Sequence, residues 1–215
     1  MKIDVILFDL DDTIYPNSSG IWTMIRERID TYMISRLGYL EENVHSIRED
    51  FFRRFGTTLR GLEATHQIDP VEYLQFVHDI PLEDRLKPNH RLVEMLTQLP
   101  QKKVIFTNGD RWHAKRVTDK LQITHFFDRV IDVLDISPYC KPMVEAFNIA
   151  LDLLQIENPA KILLIDDNLR NVQKANDIGL NSIWLTDNQE FTDHELNKLS
   201  HLEDLLLIYP EIGSK

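Results

Sequence analysis

The stretch Ile3 to Thr13, IDVILFDLDDT, constrains this chain more than any other. A mostly apolar run ends in Asp9, Asp11, Asp12 and Thr13, the pattern of a buried strand that delivers carboxylates to one point. Strand side chains two apart share a face, so Asp9 and Asp11 point the same way. Their repulsion is costly unless a cation or a shared proton relieves it.

From Asn17 to Lys87 the period turns helical. Ile21, Ile25, Ile29, Met33 and Leu37 form one apolar stripe closed by Gly38, and a second helix is predicted over Glu41 to Phe55, closed by Gly56. Shorter helices are expected at Leu59 to His66 and Pro70 to Val77, with a return linker over Asp84 to Pro88. After Pro88 strands and helices alternate. Helices are predicted at Asn89 to Leu99, Arg111 to Leu121, Pro142 to about Leu154 and Leu169 to Ile178. Strands are predicted at Lys103 to Phe106, Arg129 to Leu134, Lys161 to Ile165 and Asn181 to Leu185, the last clear one. Nearly continuous apolar strands in such alternation imply an α/β fold with a doubly wound parallel sheet. The expected division is a core of 1–16 and 88–215, with an all-helical cap of 17–87 inserted after the first strand.

A net charge of −11 with no basic tail argues against nucleic acid or a membrane surface as partner. No apolar run reaches transmembrane length, and the N-terminus reads as a strand rather than a signal peptide. The lone Cys140 excludes an internal disulfide and a cysteine-based zinc site, which fits a reducing compartment, so a cytoplasmic protein is expected.

In an open parallel sheet, ligands bind beyond the carboxyl ends of the strands, and there the polar residues fall. Asp9 and Asp11 follow the first strand and Thr107 and Asn108 the second. Lys141 precedes a helix after the third, and Asp166 and Asp167 follow the fourth. Acids from two strands can hold a hard cation such as Mg2+, while the Thr107 hydroxyl, the N–H after it and the Lys141 ammonium suit phosphate. Alone, Lys141 is a surface lysine and Asp166-Asp167 a helix cap; their joint position points to chemistry.

These residues resemble the haloacid dehalogenase-like hydrolases, whose motifs appear in order as DLDDT, FTNGD, Lys141-Pro142 and LLIDDN. The resemblance implies Asp9 as the nucleophile that forms an aspartyl-phosphate and Asp11 as general acid and then base. It implies Mg2+ held by the Asp9 side chain, the Asp11 carbonyl and Asp166, with Asp167 acting through water or on the lysine. Crowding among the acids is expected to keep a proton on Asp11 near neutral pH. Asp11 itself favours phosphate-ester hydrolysis, since dehalogenases that resemble this fold lack the second acid.

Thr107 to Arg111, His113-Ala114, Arg116-Val117, Cys140 to Pro142, Asp166 to Asn168, Arg170-Asn171 and Leu59 to Leu62 are similar to the pyrimidine 5′-nucleotidase branch. That implies small nucleotides as substrates, with a sugar-phosphate or other metabolite phosphatase as the alternative. Thr107, Gly109 and Asn168 depart from the residues common in that branch, which leaves the base preference open. Phe51 to Phe55 and Arg60 form the one basic, aromatic stretch, so Arg53 and Arg60 are candidate base-reading residues; the competing expectation is a cap core with solvated arginines. His113 is expected to be packed or solvated, Tyr15 to line the entrance or pack, and Cys140 to be a small buried neighbour of Lys141. A phosphoacceptor receiver is the more distant rival, disfavoured by the leading position of the acid cluster and by the helical insertion.

Overall fold

The computed structural model describes residues 3–187 and 196–213. Six parallel strands form one sheet in the order β3-β2-β1-β4-β5-β6. They are β1 (Val5–Phe8), β2 (Lys102–Phe106), β3 (Arg129–Ile131), β4 (Ile162–Asp166), β5 (Asn181–Leu185) and β6 (Asn197–Leu199). The chain winds outward from β1 on one side and from β4 on the other, so the order reverses between these two neighbours. Such a switch point opens a crevice at the carboxyl ends of the strands.

Strand alternation supplies two cores. Ile6 and Phe8 of β1, with Ile105 and Ile165, face one side, while Val5 and Leu7, with Val104, Phe106 and Leu164, face the other. The second face is covered by α7 (Val144–Leu154) through Ala146, Phe147 and Ala150 and by α8 (Leu169–Asp177) through Ala175. The first is covered by α5 (His90–Gln98) and α6 (Arg111–Leu121).

Between β1 and β2 the chain forms α1 (Ile21–Leu37), α2 (Glu41–Phe55), α3 (Thr58–Thr65) and α4 (Pro70–Val77). The apolar stripe of α1 is buried at Ile21, Ile25, Ile29 and Met33. Gly38 and Gly56 follow α1 and α2 at positive φ. Where α2 crosses α3 there is no room for a side chain: a Cβ on Gly61 would stand 2.4 Å from Phe51. Buried residues of these helices belong to the same apolar cluster as the first face of the sheet.

Two predicted boundaries shift by two residues or more, and one strand appears that was not expected. The β3 strand stops at Ile131 rather than Leu134, because Asp132 turns inward to hold Arg111. The α7 helix begins at Val144 rather than Pro142, because Met143 is extended. A sixth strand lies beyond the expected last one; β6 is three residues long, too short for a period to register.

Candidate active site

The carboxyl ends of β1 and β4 are fixed by their ladder. Phe8 pairs with Ile165, and the Asp9 N–H donates to the Ile165 carbonyl at 2.9 Å, which sets Asp9 beside Asp166. After Asp9 the chain turns through Asp12, which adopts the left-handed φ of 60°. Thr13 returns its hydroxyl oxygen to accept the Asp167 N–H at 3.1 Å, so the two acid-bearing loops are tied together.

Lys141 enters from the loop after β3 and is wholly buried. Its Nζ donates to Asp9 Oδ1, Asp166 Oδ2 and the Phe106 carbonyl, each at 2.7 Å, which commits all three protons. Lys141 therefore neutralises the acids and keeps no spare donor for a phosphate in this arrangement. The two carboxylates hold its ammonium well above the usual lysine range despite burial. Asn108, expected at the phosphate, clasps the lysine's backbone: its Oδ1 accepts the Lys141 N–H at 2.8 Å and its Nδ2 donates to the Lys141 carbonyl at 2.9 Å. The Thr107 hydroxyl accepts the Gly109 N–H at 2.9 Å and shapes the same turn.

Asp166 accepts from Lys141, from the Asn168 N–H at 2.9 Å and from Asn171 Nδ2 at 3.0 Å. Asp167 differs, since among the described residues only its backbone is bound, by Thr13 and by the Trp184 indole. Asp9, Asp166 and Asp167 offer oxygen atoms within 4.8 Å of one another. Asp167 thus stands within reach of a cation shared with Asp9 and Asp166, and the Asp11 side chain lies outside this trio. Burial pushes the Asp9 carboxyl up to about 7, with the Asp166 charge adding to it and Lys141 opposing. Burial and the charges of Asp9 and Asp166 push Asp167 up to about 9. Acids held this far from ionisation, all with hard oxygen donors, fit a divalent cation such as Mg2+.

Asp11 is held otherwise. Its Oδ1 accepts the Tyr15 hydroxyl and lies 2.8 Å from His113 Nε2. Burial alone would raise the Asp11 carboxyl, yet His113, and behind it His78 and Tyr15, hold it below the usual carboxylate range. Crowding therefore does not protonate Asp11, contrary to expectation, because its neighbours on this side are donors. His113 stacks on His78, and His78 Nδ1 lies 2.5 Å from Asp110 Oδ2. Asp110 also caps α6 by accepting the His113 N–H at 2.8 Å.

Above these groups is a cavity of about 510 Å³, walled by the helices between β1 and β2. Its floor includes Asp9, Asp11, Asp166 and Asp167, and its roof Trp22, Arg26, Arg48, Phe52 and Tyr73. Neither predicted base-reading arginine is there. Arg53 pairs with Asp50 at 2.6 Å and is exposed. Arg60 is buried against the core loop, donating to the carbonyls of Val133 at 2.7 Å and Tyr139 at 2.8 Å. Cys140 is buried beside Lys141, as expected, its thiol against the Phe55 carbonyl at 3.2 Å.

The sequence model of the haloacid dehalogenase-like hydrolases matches residues 3–179, from the start of the acid-bearing strand to the end of α8. The chain belongs to this family. It is 29% identical over 227 residues to phosphate metabolism protein 8 of Saccharomyces cerevisiae, covering 95% of this chain and 71% of that one. It is 26% identical over 228 residues to pyrophosphatase PpaX of Bacillus anthracis, covering 99% of both. Its fold matches a HAD phosphatase from Thermococcus onnurineus at a TM-score of 0.64, with 19% identity and 97% of each chain covered. An L-2-haloacid dehalogenase from Xanthobacter autotrophicus matches at 0.59, with 17% identity over 96% of this chain and 99% of that one. The family's core, a parallel sheet with a crevice at the β1/β4 switch point, is thus the one seen here. Among the described residues, no helix is long and apolar enough to cross a membrane.

Proposed function

We propose that this hydrolase is a Mg2+-dependent phosphomonoesterase that works through an aspartyl-phosphate on Asp9. The observation that carries the reading is the fixing of Asp9 Oδ1 by Lys141 at 2.7 Å, on a site floor that also holds Asp11. One carboxylate oxygen is anchored and the other is free to attack. The names of the relatives, a phosphate metabolism protein and a pyrophosphatase, agree with phosphate chemistry.

Asp9, Asp166 and Asp167 would hold the cation. Bound there, it would supply charge neutralisation to the acids and to the phosphoryl oxygens. Asp9 forms a bond to phosphorus as the bond to the alcohol oxygen breaks. Asp11 gives that oxygen its proton, having received it through the 2.8 Å contact with His113 Nε2. A water then attacks phosphorus, Asp11 takes the water's proton, and Asp9 is released with inorganic phosphate. Residues 17–87 act as a cap domain on a core of 1–16 and 88–215, excluding bulk water and reading the alcohol. The cavity volume suits a small phosphorylated metabolite, with pyrimidine 5′-monophosphates the first class to try by resemblance. A single buried cysteine agrees with a cytoplasmic setting.

The test is phosphate release from a panel of esters with Mg2+, for the wild type and Asp9→Asn. Release by the wild type and none by the variant is expected. Undiminished Mg2+-dependent release by Asp9→Asn would sink the assignment.

A further inference from the structure

Arg26 is the outlier in the roof of the cavity. Other buried or half-buried guanidinium groups among the described residues are engaged: Arg48 with Asp30 at 2.7 Å, Arg28 with the Phe76 carbonyl at 2.9 Å, Arg60 with the Val133 carbonyl at 2.7 Å. Arg26 lines the same cavity as the acids, and its Nε is buried with no acceptor. Among the described residues it makes no hydrogen bond or ion pair. Asp12 on the floor is the nearest candidate by charge, yet its Oδ2 is taken by Asn17 at 2.5 Å and its Oδ1 is itself buried without a partner.

Arg26 is half-buried, and its buried Nε has lost hydration that no acceptor replaces, which is destabilising. The fork of donors is best met by two oxygens in a plane, as in a carboxylate or a phosphoryl group. A sugar hydroxyl or a base carbonyl meets one donor and brings no charge. The phosphate to be cleaved belongs at the other end of the cavity, against Asp9, so the acceptor for Arg26 must come from the alcohol part. Trp22, one turn before Arg26 on α1, lines the same roof and supplies an apolar wall beside it.

We infer that Arg26 receives a second anionic group, a carboxylate or a phosphoryl, carried by the leaving alcohol, so that the substrates are phosphomonoesters of acidic alcohols. The inference rests on the phosphatase reading and narrows it. It ranks plain nucleoside monophosphates below esters with a second acid, since their leaving nucleoside is neutral.

The experiment compares kcat/KM with Mg2+ for two matched pairs. The carboxylate arm is 3-phosphoglycerate against glycerol 3-phosphate. The phosphoryl arm is propane-1,3-diol bisphosphate against its monophosphate. The wild type should favour the acidic member of at least one pair by roughly tenfold or more, the size of one charge-assisted contact. Arg26→Gln should lower kcat/KM for that member roughly tenfold more than for its neutral counterpart, and Arg26→Lys should fall between. The melting temperature of Arg26→Gln should match or exceed the wild type's, since no hydrogen bond or ion pair among the described residues is lost. Equal rates within both pairs in the wild type, equal losses on both members in the glutamine variant, or a lower melting temperature would each overturn the inference while leaving the phosphatase reading in place. Failure of the wild type to release phosphate from any of the four esters would overturn both.

Discussion

The imidazole of His78 lies flat on that of His113, with 4.3 Å between ring centroids and 8° between planes. His78 closes α4, and His113 sits in the first turn of α6. The pair links the end of α4 to Asp11. Arg116 braces the same return segment, donating to the carbonyls of His78 and Ile80 at 2.6 Å.

Replacing His113 by Gln should slow the proton steps while leaving the phosphate site intact. The His113–Asp11 contact is 2.8 Å, and Tyr15 holds the same oxygen and would keep Asp11 in place. Positioned proton transfer contributes typically about 10² to 10⁴ in rate, so kcat should fall by at least about tenfold with KM little changed. Steady-state kinetics on one ester checks this; an unchanged kcat would remove His113 from the pathway.

The pH dependence of stability follows from Asp9, raised to about 7, and Asp167, raised to about 9. Unfolded carboxyls lose their protons near 3.8, so above that pH the folded protein binds more protons than the unfolded chain. Stability of the metal-free protein should therefore fall as pH rises from about 4 toward 9, each group reaching its full penalty above its raised pKa. Cation binding needs both acids ionised and removes that penalty. Thermal melting with and without Mg2+ should show a larger stabilisation by the ion at about pH 8.5 than at about pH 6. A shift independent of pH would contradict the assignment of these acids as ligands.

Arg60 carries stability rather than specificity. Truncation to Ala leaves the carbonyls of Val133 and Tyr139 without their donor and releases Glu63 from its 2.6 Å ion pair. A cost of about 2–4 kcal/mol is expected from unpaired buried acceptors and lost packing. Denaturant unfolding measures it. The loop that Arg60 holds leads directly into Cys140 and Lys141, so activity should drop as well, whereas Arg53→Ala should alter neither by much.

The fold was legible because the two periods are clean. The predicted limits Glu41–Phe55, Pro70–Val77 and Asn181–Leu185 coincide with α2, α4 and β5. The convergence of Asp9, Lys141 and Asp166 followed from strand-end logic alone. His113 escaped because its contact with Asp11 spans 102 residues and a single histidine on a helix carries no periodic signal. Arg53 and Arg60 were favoured by neighbouring aromatics, but residue type does not say which way a helix face turns. A signal for Arg26 did exist: Trp22 and Arg26, spaced by four, flank the apolar stripe at Ile21 and Ile25 on α1.

The pairing of Phe8 with Ile165 acts as a ruler. The separation of Asp9 from Asp166 is set by backbone rungs between two fully buried strands, so repulsion between the acids cannot push them apart without shearing the middle of the sheet. A slip of one residue would send Asp9 to the opposite face and empty the crevice. The spacing of these two acids is therefore inherited from the architecture. Sequence change in the roof can retune which alcohol is admitted without recalibrating the chemistry beneath it.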